Sequence, residues 1–142
     1  MRQANRIAAG ALKMLEERIV PGITTMQMDR WAEEYCRDHG ASPAFRGYRG
    51  FPGNLCVSVN EVVVHGIASK KVKVAEGDIV SLDFGTLYKG YYGDSAVTVP
   101  VGEKPRSDEI SSTVSARAFK PKKLAKPVNW VSAPTLSSLT SL

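Results

Sequence analysis

The chain has 142 residues and a hydrophobic fraction of 43%, which suits one modest globular domain and excludes a disordered, low-complexity composition. Its formal charge is +5, yet residues 1–110 hold fourteen acidic and fourteen basic side chains, so the excess comes wholly from residues 111–142. That basic segment could be a nucleic-acid or ribosome-binding arm, although nucleic acid is not the expected partner, and no apolar stretch approaches the length needed to cross a bilayer.

Met1-Arg2-Gln3 runs straight into an amphipathic pattern with no secretory h-region, so a cytoplasmic location is expected. Ile7, Ala11, Leu12, Leu15 and Ile19 recur at helical spacing and predict a first helix ending before Pro21-Gly22. Thr24 or Thr25 can cap a second helix, whose apolar stripe is Met28, Trp31, Ala32, Tyr35 and Cys36 and which closes at Gly40. His39 suits the C-terminal end of that helix. Glycine and proline then punctuate a loop over residues 41–53. Four strands are expected from there to Val101. The first starts at Asn54, the chain turns at Asn60-Glu61, and a second short strand ends at His65. Cys36 falls on a helix and Cys56 on a strand, without zinc spacing, so both read as free thiols of a reducing compartment.

The remaining two strands carry the most informative residues. Asp83 lies in Ile79-Val80-Ser81-Leu82-Asp83-Phe84-Gly85 and Asp94 in Gly90-Tyr91-Tyr92-Gly93-Asp94-Ser95-Ala96, both rich in β-branched and aromatic residues. A hairpin with its turn centred between Tyr88 and Lys89 sets the two aspartates directly opposite, with Cβ atoms about 4.5–5.5 Å apart. Carboxylates that close repel unless a cation sits between them. Spacing alone weighs a shared divalent ion equally against a plainer arrangement, in which one aspartate faces solvent and the other caps a turn. His65, at a strand end beside Gly66, is the candidate third functional side chain.

Three stretches together carry a family resemblance: Ser58-Val59-Asn60-Glu61-Val62-Val63-Val64-His65-Gly66-Ile67, then Glu76-Gly77-Asp78-Ile79-Val80-Ser81-Leu82-Asp83-Phe84-Gly85, then Gly90-Tyr91-Tyr92-Gly93-Asp94-Ser95-Ala96. With Pro43-Ala44-Phe45-Arg46-Gly47-Tyr48 and Gly50-Phe51-Pro52 upstream, they resemble type I methionine aminopeptidases over residues 1 to about 108. The resemblance implies a partial "pita-bread" α+β fold, two N-terminal helices followed by antiparallel strands, and removal of N-terminal methionine from nascent polypeptides. It implies two divalent ions in the complete site (Co, Mn, Fe or Zn), with Asp83 chelating one and Asp94 bridging both. His65 would be catalytic, hydrogen-bonding the substrate beside the scissile peptide. Phe45, Tyr48, Phe51 and Cys56 would line the methionine pocket, Phe45 and Phe51 standing where cysteine and tyrosine are commoner. Nascent N-termini are the implied partners, with the ribosome as a further candidate and no membrane.

The resemblance also implies one histidine and two glutamates from a second half. The only other histidine is His39, and nothing acidic follows Glu109. Two aspartates alone hold a divalent ion weakly, so the chain by itself is expected to be inactive. Residues 1–110 thus read as the N-terminal half of a methionine aminopeptidase catalytic domain, and its uncovered inner face predicts marginal solubility. Residues 111–142, with five basic residues, seven serines and three prolines, read as a disordered tail or the product of a shifted reading frame. Read out of frame, residues 126–137 permit Ala-Gly-Lys-Leu-Gly and, three residues on, His-Ala-Ile, like the helix that follows the family's metal-bearing hairpin. The rival readings are a non-catalytic pita-bread binding module and an X-Pro dipeptidase.

Overall fold

A computed structural model describes residues 1–102. The expectations for residues 111–142 lie outside the described residues. The order of elements is α1 (Arg2–Arg18), α2 (Thr25–Asp38), β1 (Ser42–Pro43), a 3-10 turn (Tyr48–Gly50), β2 (Cys56–Val59), β3 (Ile79–Tyr88) and β4 (Tyr91–Pro100).

Helix α1 buries Ala4, Ile7, Ala8, Ala11, Leu12 and Leu15 on one face, the stripe that helical spacing predicts. It ends where Ile19 turns extended and donates its N–H to Leu15 O at 2.9 Å. Helix α2 starts at Thr24, whose side chain accepts from the Gln27 N–H at 3.2 Å; this hydroxyl satisfies one of the donors a helix start leaves free. It closes at His39 and Gly40, the latter at φ +66°. His39 Nδ1 lies 2.8 Å from Tyr35 O and its ring stacks on Tyr35, so this histidine finishes the helix.

The sheet is antiparallel throughout. The long strand β3 pairs with β4 along one edge and with β2 and the short β1 along the other. Both helices cover one face of it, α1 across β3 and β4, α2 beside α1 and over β1 and β2. Along β3 the side chains of Val80, Leu82, Phe84 and Thr86 are fully buried on that face, with Leu15, Met28 and Leu55 in the same core. The Thr86 hydroxyl is satisfied there by donating to Ala4 O at 2.9 Å. Opposite Thr86 stands Gly93, where any Cβ would collide with the α1 backbone at Ala4 and Asn5. Only a bare backbone lets the helix lie this close.

Two expectations are corrected. The β3–β4 turn is centred between Lys89 and Gly90, not between Tyr88 and Lys89: Tyr88 pairs with Tyr91, and Lys89 and Gly90 both have positive φ, +48° and +81°. Two left-handed residues in a two-residue loop make the turn that matches strand twist. Asp83 therefore pairs with Ala96, and Asp94 with Gly85. The partner changes by two residues, which preserves the face. The two aspartates are diagonal neighbours on one side of the sheet. The second correction concerns the stretch ending at His65. The chain turns at Asn60 (φ +53°), as expected, but residues 61–67 form no strand. The fourth strand is instead Ser42–Pro43, paired to Thr86 and Leu87.

The return from that turn is held by side chains. Asn60 accepts from the Ile79 N–H at 3.0 Å and donates to Asp78 at 2.9 Å, and Asp78 also accepts from the Ala75 N–H at 2.7 Å. The Thr25 hydroxyl donates to Ser69 O and accepts from the Ser69 N–H, tying residues 69–74 to the start of α2. Among the described residues no helix is long and apolar enough to cross a membrane.

Candidate active site

The face of β3 turned away from the helices carries Ser81, Asp83, Gly85 and Leu87, and there the loop 44–52 and residues 65–67 wall a cavity of about 570 Å³. Phe45, Tyr48, Phe51, Cys56, His65, Asp83 and Asp94 all line it, so the structure brings every site residue named from the sequence to one place. Arg49, Gly50, Pro52 and Ile67 complete the wall.

The aromatic side is built by a tight turn. Gly47 and Gly50 take φ +81°, Arg49 takes φ +48°, and the Gly47 and Phe51 backbones bond each other at 2.8 Å. Phe45 and Phe51 meet edge to face with centroids 6.5 Å apart, an arrangement favoured by ring quadrupoles. The ring of Phe45 lies on Gly85, where a side chain on β3 would displace it. Gly85 thus gives Phe45 its place, and gives Asp94, its strand partner, an open neighbour.

The acidic side is a convergence of like charges. Asp83 is held above the usual carboxylate range, first by burial, then by the negative charge of Asp94 and a hydrogen bond between the two side chains; His65 pulls the other way. Cys56, the strand partner of Asp83, has its thiol pushed up to about 11 by burial and by the charges of Asp83, Asp94 and Asp29. Burial alone pushes Cys36 up to about 11. Both are free thiols, and at neutral pH neither is a nucleophile.

His65 reaches the cavity through backbone strain rather than from a strand end. Its φ is +56°, a left-handed conformation uncommon for a residue with a side chain. The next residue fixes it: Gly66 O accepts from the Val57 N–H at 2.9 Å and Gly66 N–H donates to the Ser58 hydroxyl at 3.2 Å. A Cβ at Gly66 would strike Val57 O and come 2.9 Å from Ser58 Cα.

Sequence reasoning missed Asp29. It is 5% exposed on α2 and accepts bonds from Asn54 and Leu55 just before β2. An acid directly after Met28 on a helix with a buried face is the signal that could have found it, because a carboxylate so placed needs donors.

Two carboxylates drawn together against their own repulsion fit a divalent cation, and oxygen donors with an imidazole nearby suit Mn, Fe, Co or Zn. They fit as part of a ligand set. Among the described residues no group of three or more His, Cys, Asp or Glu side chains is arranged to hold a metal.

Comparison with known proteins bears on the fold and the family. Methionine aminopeptidase of Clostridium acetobutylicum is 48% identical over 103 residues, 72% of this chain and 41% of that protein. Methionine aminopeptidase 1 of Bacillus subtilis is 44% identical over 128 residues, 89% of this chain and 51% of that protein. The chain thus spans about half the length of the relatives it matches. Among solved structures, methionine aminopeptidase from Thermotoga maritima superposes with a TM-score of 0.72 at 43% identity, covering 78% of this chain and 44% of that one. The Xaa-Pro dipeptidase of Bacillus anthracis superposes with a TM-score of 0.61 at 32% identity, covering 78% and 29%. The two helices and antiparallel sheet are therefore part of a pita-bread fold, and the sequence matches metallopeptidase family M24 over residues 1–127. The chain belongs to metallopeptidase family M24.

Proposed function

We propose that this chain carries the substrate pocket and two metal-binding carboxylates of a methionine aminopeptidase, and that alone it binds without turning over. The single observation behind this reading is the adjacency of an aromatic, apolar cavity to the Asp83–Asp94 pair. An unbranched thioether side chain fits such a cavity, where sulfur–ring contacts contribute about 0.3–1.5 kcal/mol. The rings of Phe45 and Phe51 would flank it, with Tyr48 at the mouth, since Tyr48 is 64% exposed.

Asp83 and Asp94 would hold the divalent ions, which when bound acidify water to a nucleophile usable at neutral pH. His65, at the cavity edge, would donate to the substrate carbonyl or amide beside the scissile bond. Nascent chain N-termini are the partners this chemistry calls for. Inactivity of the chain alone follows from the donor count: two carboxylates leave an ion mostly solvated.

The test is incubation of the full chain with Mn²⁺ or Co²⁺ and a Met-Ala-Ser peptide. Saturation transfer from the protein to the methionine methyl group is expected, and not to a peptide beginning with aspartate. No free methionine should appear. Equal transfer to both peptides would overturn the pocket assignment, and release of methionine would overturn the inactivity.

A further inference from the structure

The pocket loop is anchored from behind by α2. Asp29 uses both carboxylate oxygens: Oδ1 accepts from the Asn54 N–H at 2.7 Å and the Leu55 N–H at 2.9 Å, and Oδ2 accepts from Asn54 Nδ2 at 2.8 Å. All three donors are neutral amides. Burying a carboxylate among neutral donors is costly, yet removing it would leave the Asn54 and Leu55 N–H groups without their acceptor. Its bonds run to the backbone of Asn54 and Leu55 and to the Asn54 side chain, and so tie that backbone to α2.

Those residues join two stretches of cavity wall. Phe51 and Pro52 precede them and Cys56 follows. Gly53 packs against Asp29 so closely that an added Cβ would lie 3.1 Å from Oδ1. One helical turn on, Glu33 accepts from Asn54 Nδ2 at 3.3 Å and pairs with Arg46, beside Phe45, at 3.5 Å. That second tie is partly exposed and weak; the buried carboxylate dominates.

We propose that Asp29 is a positioning residue for the methionine pocket: it sets where Phe51, Pro52 and Cys56 stand by bonding the backbone between them. The methionine assignment rests on the function proposed above; the positioning role rests on the hydrogen bonds alone.

Two cysteines make the role testable without a ligand. Cys56 lines the cavity, and Cys36, wholly buried in α2, lies away from it. Iodoacetamide labelling of each is followed by mass spectrometry in the full-length chain and its D29A and D29N variants. Both variants remove the charge near Cys56, so their difference reports the lost acceptor; D29N keeps one oxygen for the two backbone N–H groups. The expected order of Cys56 labelling is wild type, D29N, then D29A, with D29A about tenfold above D29N and the Cys36 rate little changed. A parallel rise at both cysteines would mean ordinary destabilisation and overturn the proposal, as would equal rates in D29A and D29N. Should D29A fail to fold, D29L serves: it has nearly the shape of D29N but no acceptor for the two backbone N–H groups, and equal Cys56 rates in D29L and D29N would overturn the proposal. A second arm titrates L-methioninol by NMR, with D29A expected to bind about tenfold more weakly than wild type. If wild type ignores methioninol, the methionine assignment fails while the labelling ratio still decides whether Asp29 positions the wall.

Discussion

Strand β3 has two faces with opposite tasks. On one, Val80, Leu82, Phe84 and Thr86 are sealed beneath two helices, and the lone hydroxyl among them has a partner. On the other, Asp83 faces a second carboxylate, Gly85 carries a phenyl ring, and the cavity stays open. A backbone that alternates every residue can put a stabilising surface and a reactive one within a few ångströms. The buried face offsets the repulsion that the open face tolerates. Ile67, on the cavity wall, is 60% exposed, so some of the apolar surface left uncovered lies on the reactive side.

The contrast predicts unequal responses to mutation. The largest effect belongs to the sealed face. Phe84→Ala removes a ring at the centre of the core, and the loss is expected to be about 3–5 kcal/mol, read as a fall in urea midpoint or loss of the folded state. Retention of the wild-type midpoint would show that the helices do not pack on β3 as described. A middle effect belongs to Gly66→Ala, between the faces. Its Cβ meets the Val57 carbonyl, so a cost of about 1–3 kcal/mol is expected, together with a shift of the His65 ring resonances in NMR. Unmoved His65 resonances would mean that Gly66 does not hold His65 in place.

How much of this is legible in the sequence depends on the range of the interactions. Both helices follow from local patterning, and Thr24 caps as its hydroxyl dictates. The strands Ile79–Tyr88 and Tyr91–Pro100 follow from composition. The hairpin turn lies one position later than spacing places it, because a lysine at φ +48° beside Gly90 leaves no mark in hydropathy. The faces are unaffected, since the partners differ by two. Alternation places His65 on a strand, yet its position comes from a close backbone approach of Gly66 to Val57, a contact that alternation cannot foresee. Asp29 bonds residues twenty-five positions away, and nothing local to α2 names them.

The smallest effect on stability, and the sharpest on chemistry, belongs to Asp83→Asn. In protein freed of metal by chelator, the folded-state Asp83 holds its proton above the ordinary value of 3.8, because burial and Asp94 disfavour its charge. The folded state therefore binds more protons than the unfolded state in the window that opens at that value. Stability falls as pH rises through this window. The Asn variant lacks the titration, so its stability should vary less with pH there and should match or slightly exceed wild type at neutral pH, within about 0.5 kcal/mol. Urea midpoints between acid and neutral pH measure this directly. The same variant should lose what divalent-ion affinity the chain has, since one of two donors is gone. A variant that is destabilised at neutral pH and keeps its ion affinity would place Asp83 with the sealed face rather than the open one.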